Sequence, residues 1–248
     1  MGTIYILWLR QLKRYVRSKS RIIGSLGQPL LFLLAMGYGL GPTFAKAGEG
    51  NYFQFLAPGI IAMSVLFTAV FSGIEIIWDR QFGFLKETLV APVPRLHIMI
   101  GRTLGGATVA TIQGVIVFFI AMIAGFRPAS FMALPAVLLV IFLIALLFTA
   151  MGTAIASRMS DMHGFQLVMN FLVMPIFFLS GALFPLSGLP KNVLMVTKID
   201  PLSYGVDALR GLLIGGAHYH LSISLIILSS ITVFFLILGS VLFSKLEV

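Results

Sequence analysis

The sequence has no cysteine, which excludes disulfide bonds and thiolate metal centres. Charge is scarce as well: Asp, Glu, Lys and Arg make up 10% of the 248 residues, while 59% are hydrophobic. A soluble domain carries roughly 25% charge, so this composition cannot furnish a water-facing surface for a fold of this size. A bilayer accepts it, because lipid faces apolar side chains directly. No Gly-x-x-x-x-Gly-Lys-[Ser/Thr] phosphate loop occurs anywhere. Any nucleotide hydrolysis that serves this chain must therefore come from another polypeptide. The stretch from Met1 to Arg21 interleaves apolar and basic residues. It lacks the continuous apolar run and small-residue cleavage site of a secretory signal, and is expected to be retained.

What is present is a series of six apolar runs, each near the roughly 20 residues that cross about 30 Å of hydrocarbon. They cover Ile22–Leu40, Phe53–Ile74, Leu96–Ala124, Phe131–Ala156, Phe165–Phe184 and Leu221–Phe243. The runs are apolar on all sides, unlike the alternating ten-residue segments of a barrel. The expected fold is an all-α integral membrane protein, one domain of six transmembrane helices over residues 1–248.

Sidedness follows from the basic residues. With both termini on one side, that side receives 12 of the 17 Lys and Arg residues. The positive-inside rule then places both termini in the cytoplasm. The net charge of +9 is thereby absorbed by topology, and no compact basic domain for nucleic acid remains.

The segment 1–21 is amphipathic at helical spacing. Arg10, Lys13, Arg14, Arg17 and Arg21 share one arc; Tyr5, Trp8, Leu12, Tyr15 and Val16 share the other. This predicts an interfacial helix with its aromatic side toward lipid and its basic side toward water or lipid phosphates. It would serve as an anchor or as a collar for a cytoplasmic partner.

Two connectors stand out. The cytoplasmic segment 75–95 mixes Trp78, Phe82, Phe84, Leu85 and Leu89 with Asp79, Arg80, Lys86 and Glu87, and ends at Pro92 and Pro94. A short amphipathic helix broken by proline makes a stiff lever, and exposed aromatics beside charges suit a partner groove. The opposite segment, 185–220, contains Pro201–Gly216, too apolar for a free loop and too interrupted for a span. It reads as a short helix or re-entrant hairpin at the membrane surface before the last span. Within it, Asp207 and Arg210 have the spacing of a same-face ion pair.

Three motifs then carry a resemblance. Asp79-Arg-Gln-Phe-Gly-Phe-Leu-Lys-Glu-Thr-Leu-Val-Ala-Pro-Val-Pro-Arg95 is similar to the coupling segment of type-2 ABC transporter permeases. Phe178-Leu-Ser-Gly-Ala-Leu-Phe-Pro185 resembles the end of their fifth span. Asp200-Pro-Leu-Ser-Tyr-Gly-Val-Asp-Ala-Leu-Arg-Gly211 resembles the motif before their last span, with Pro201, Tyr204, Gly205, Asp207 and Arg210 as its matching residues. The order is the family's, and the flavour is that of daunorubicin-type drug-resistance permeases. The resemblance implies a half-transporter without its own ATPase site. A second copy or a related permease completes the pathway. Two cytoplasmic ABC ATPases bind ATP and Mg below. It further implies that Asp79, Arg80, Phe82, Gly83, Leu85, Lys86 and Glu87 lie at the ATPase contact.

The spans are almost free of ionisable groups, Glu75 and Arg102 lying near predicted ends. A buried charge costs about 2.5–3.5 kcal/mol on insertion scales, so ion-coupled pumps display one; external ATP fits this chain better. The expected cargo is lipophilic or amphipathic, such as a drug, with a lipid-linked polysaccharide or glycolipid as the alternative. Gln113, Asn170, Phe177, Phe178 and Ser180 are candidates to line its route, each also readable as a helix–helix bond or a packed aromatic. Gly37/Gly41 and Gly101/Gly105 have the small-x-x-x-small spacing for close helix approach. His218 and His220 could ligate a metal, but two ligands without carboxylate or cysteine neighbours read better as surface histidines. A membrane-embedded enzyme would need a nucleophile and base at membrane depth, and neither cysteine nor a span aspartate is present.

Overall fold

A computed structural model describes residues 2–46, 51–84, 93–186 and 190–244. Among these residues every regular element is helical. In chain order they are α1 (Gly2–Arg17), α2 (Lys19–Gly39), α3 (Gly41–Lys46), α4 (Tyr52–Phe71), α5 (Ile74–Gln81) and α6 (Arg95–Ile123). There follow α7 (Leu134–Ala156), α8 (Met162–Leu179), α9 (Lys191–Ile199), α10 (Pro201–Ile214) and α11 (Leu221–Ser244). Six helical stretches are long and apolar enough to cross a membrane, in agreement with the six runs.

Two of them are longer than a bilayer crossing needs. α4 and α5 together cover Tyr52–Gln81, 30 residues, and α6 has 29. At 1.5 Å per residue each exceeds 40 Å, about 14 Å more than the roughly 30 Å of hydrocarbon needs. Both run on past the apolar zone at the end of the bundle that carries α1. This is the basic end.

α4 is the centre of the bundle: 78% of its most apolar stretch is buried, against 17% for α2 and 22% for α8. It packs on α6, α7, α2 and α10. Polar caps close the helices. Asn51 accepts from the backbone N–H of Phe53 at the start of α4, and Asp161 does so from His163 at the start of α8.

α1 departs from expectation. It packs along α6 in parallel, Ile4 and Leu7 lying against Gly101, and Trp8 and Gln11 against Gly105. Side chains there would hold the helices apart, so the Gly101/Gly105 spacing serves α1. Trp8 and Tyr15, expected to face lipid, are turned to α6 instead. The indole N–H of Trp8 donates to Thr108 at 3.0 Å, and the Tyr15 hydroxyl to Gln113 Oε1 at 2.7 Å. Each bond satisfies a polar group that lipid would leave bare. Tyr5 and Val16 keep the outward direction. Gly41, the second member of the Gly37/Gly41 pair, has no described residue near it, whereas Gly37 meets the ring of Phe53.

The segment before the last span is helical. α9 and α10 follow one another with Asp200 between them, and α10 is buried against α4, α7 and α11 rather than lying free at a surface. Pro201 at the first helical position needs no N–H partner, and the Asp200 carboxylate accepts from the N–H of Leu202 at 2.9 Å.

A candidate coupling site at the basic end

Segment 75–95 begins as α5, and its two acidic residues point inward. Asp79 Oδ2 accepts from Arg102 of α6 at 2.6 Å, with both side chains 3% exposed. Asp79 Oδ1 accepts from Arg10 of α1 at 2.7 Å. One turn earlier, Glu75 is held by Arg14 at 3.2 Å and by Arg21 of α2 at 2.8 Å. Two carboxylates thus tie α5 to three other helices through four guanidiniums. Such a network tolerates burial only when each charge is paired and hydrogen-bonded.

The next residues reach the other way. Arg80 donates to the carbonyls of Ser157 and Met159 at 2.9 and 3.1 Å, and Gln81 to that of Ser160 at 3.1 Å. These carbonyls belong to the turn joining α7 to α8. α5 is therefore clamped on one side by α1, α2 and α6, and on the other by that turn.

Beyond the clamp the chain presents rings. Trp78, Phe82 and Phe84 are each about half exposed or more, and the Trp78 and Phe82 rings lie 5.5 Å apart. Gly83 ends α5 at φ 80°, a left-handed angle that favours glycine, with no described residue close to where a side chain would stand. Of the residues expected at the ATPase contact, Phe82 and Gly83 are on the surface. Asp79 is buried and Arg80 is engaged with the α7–α8 turn, so both hold the segment in place. Leu85, Lys86 and Glu87 lie outside the described residues.

The expected pathway residues do not gather in one place. Gln113 is buried and bonded to Tyr15, with its amide nitrogen unpaired. Phe177 is buried, edge-on to Phe32 and Phe178. The Ser180 hydroxyl donates to the Phe177 carbonyl within the last turn of α8. Asn170 and Phe178 are exposed on α8.

The expected Asp207–Arg210 ion pair is not formed. Asp207 accepts from the backbone N–H groups of His218 and Tyr219, each at 2.9 Å, and so ties α10 to the chain entering α11. Arg210 donates to the Gly181 carbonyl at 2.9 Å and lies 4.0 Å over the Phe55 ring. Burial lowers its pKa to about 10, and the nearby Asp207 opposes that shift; it stays charged at neutral pH. Tyr204 donates to the Lys198 carbonyl, and Gly205 admits the side chain of Ile144. Burial pushes the Asp200 carboxyl up to about 7, against the bonds from Leu202 and Ser203. No group of three metal-ligating residues occurs among the described residues.

The charge network was missed by sequence reasoning. Its members come from four separate helices, and nothing in their spacing announces that they meet. The scarcity of acid was the available signal: two carboxylates beside an excess of arginine at one end of a membrane bundle.

A family model described as "ABC-2 type transporter" matches residues 3–214. The chain is similar to Nodulation protein J of Rhizobium leguminosarum bv. trifolii, 29% identical over 213 residues, which cover 85% of this chain and 78% of the relative. It is similar to Nodulation protein J of Sinorhizobium fredii at 26% over 242 residues, covering 94% and 90%. It is also similar to the putative transport permease ycf38 of Cyanophora paradoxa, at 27% over 210 residues, covering 84% and 72%.

Proposed function

Because the chain belongs to the ABC-2 type transporter family, we propose that it is the permease subunit of an exporter driven by ATP on a separate cytoplasmic ATPase. Membership makes it a transport membrane subunit. The absence of a phosphate loop from the sequence supports placing the hydrolysis of ATP, with its Mg, on the partner. The basic end is then cytoplasmic, in a cell membrane, by the charge bias of the sequence.

The observation that carries the reading is α5. Its base is tied to α1, α2 and α6 by Asp79 and Glu75, while Trp78, Phe82 and Phe84 stand outward at its tip. Aromatic side chains held on a fixed base suit a groove on a partner. ATP-driven closure of two ATPases pushes that tip. The clamp passes the push to α1, α2 and α6, and to the α7–α8 turn through Arg80. The spans rock, and a route opens between this chain and a second copy or a related permease. The thinly covered faces of α2 and α8, with Tyr38, Asn170 and Phe178 exposed, support that placement of the route. The cargo is lipophilic or amphipathic, a drug or a lipid-linked saccharide.

The test is reconstitution. The chain is placed in sealed vesicles with a soluble ABC ATPase from the same organism, and uptake of an amphipathic dye is followed. Uptake that requires both the ATPase and ATP is expected. Nucleotide-independent uptake by the chain alone would overturn the reading.

A further inference from the structure

At the end of the bundle opposite the charge network, a cavity of about 480 Å³ opens between α9, α10, the turn after α8 and the chain entering α11. Small-molecule pockets fall in the range of roughly 300–1,000 Å³. Its walls are of two kinds. Leu186, Leu194 and Met195 form an apolar side, while Lys191, Lys198, Arg210 and His218 bring basic nitrogen to the other. The carboxylate facing this cavity is that of Asp207, and both its oxygens already accept from the backbone of His218 and Tyr219. Among the described residues neither Lys191 nor Lys198 has an ion-pair partner.

Arg210 is the unusual member. It is 5% exposed, one terminal nitrogen donates to Gly181, and its Nε has no partner. A buried donor left unpaired costs about 1–3 kcal/mol, more for a charged group. An anion in the cavity would lie beside this guanidinium and offset part of the desolvation of its charge. A neutral polar ligand would gain nothing from the charge of the two lysines, and a purely apolar one would strip water from them.

We infer that this cavity binds the head of an anionic amphiphile, its phosphate or carboxylate among Lys191, Lys198 and Arg210 and its hydrocarbon against Leu194 and Met195. Such a molecule is of the cargo class proposed above, and its role in export rests on that reading. Binding itself requires neither ATP nor a partner, so the two ideas fail separately.

The test uses the full chain in nanodiscs of zwitterionic lipid and a fluorescent lysophosphatidic acid, with the lysophosphatidylcholine of equal chain length as control. The anionic probe is expected to bind at least roughly tenfold more tightly, about 1.4 kcal/mol. Lys191→Gln with Lys198→Gln changes two exposed side chains and is expected to abolish most of that preference without altering the melting temperature. Equal binding of the two probes, or a double variant that keeps the preference, overturns the inference. Complete displacement of the probe by inorganic phosphate also overturns it, because the site would then take the free anion. Binding that behaves as expected beside failed ATP-driven transport would count against the exporter and leave this site standing.

Discussion

Arg102 and Asp79, 23 positions apart, meet at 2.6 Å with 3% of each side chain exposed. A buried pair of this kind adds little net stability, but removing one partner strands the other and costs about 3–5 kcal/mol. Arg102→Gln is expected to destabilise the protein by that amount in chemical denaturation in detergent. Adding Asp79→Asn to it is expected to cost less than the sum of the two single changes. Strict additivity would show that the two are not coupled.

The docking of α1 gives a second prediction. A Cβ on Gly105 would already meet the side chain of Gln11, so Gly105→Leu is expected to push α1 off α6. Limited trypsin digestion reads this directly, with faster cleavage at Arg10, Lys13 and Arg14. Gly41→Leu, at a position with open space around it, serves as the control and is expected to leave the digestion unchanged.

The tip of α5 separates coupling from folding. Gly83 has φ 80° and, among the described residues, no neighbour for a side chain to strike. Gly83→Ala is expected to cost about 1–2 kcal/mol from backbone conformation alone. Gly83→Pro demands φ near −65° and redirects the tip. It is expected to abolish ATP-dependent transport, as is Phe82→Ala, while membrane insertion and yield stay normal. Transport at the normal rate by both variants would remove this surface from the coupling path.

Asp200 predicts a pH dependence. Burial raises its folded pKa to about 7 from an ordinary 3.8. Between those values the folded state holds a proton that the unfolded state has released, so stability falls as pH rises through that window and levels off above about 7. Asp200→Asn retains a capping oxygen for Leu202 but does not titrate. Its melting temperature between pH 4.5 and 8 is expected to lack the downward contribution that the parent shows; parallel profiles would count against the assignment.

The spans were legible because lipid imposes one rule along the whole length of each, apolar side chains in every direction, which six runs obeyed. The bends and overhangs were not. The junction between α4 and α5 at Ser72 and Gly73 lies inside one continuous helical stretch, whereas the change from apolar to charged sequence marked only where the membrane run ends. The Gly101/Gly105 spacing announced a close approach without naming the helix that would approach. The Asp207–Arg210 spacing suggested a local pair, but tertiary partners won. Asp207 caps backbone N–H groups 11 and 12 positions away, and Arg210 takes a carbonyl 29 positions away. Each of the five described acidic residues is engaged, two at helix starts, two in the arginine network and one at the α10–α11 junction. In so acid-poor a chain, every carboxylate is worth reading as a joint.

The arginine network also has an order in time. Chains emerge from the ribosome amino terminus first, so Arg10, Arg14 and Arg21 exist before Glu75 and Asp79, and Arg102 comes last. Until Arg102 arrives, Arg10, Arg14 and Arg21 are the members of the network that can pair with its two acidic groups. An amino-terminal deletion would accordingly injure biogenesis at the second span, some fifty residues downstream of the cut.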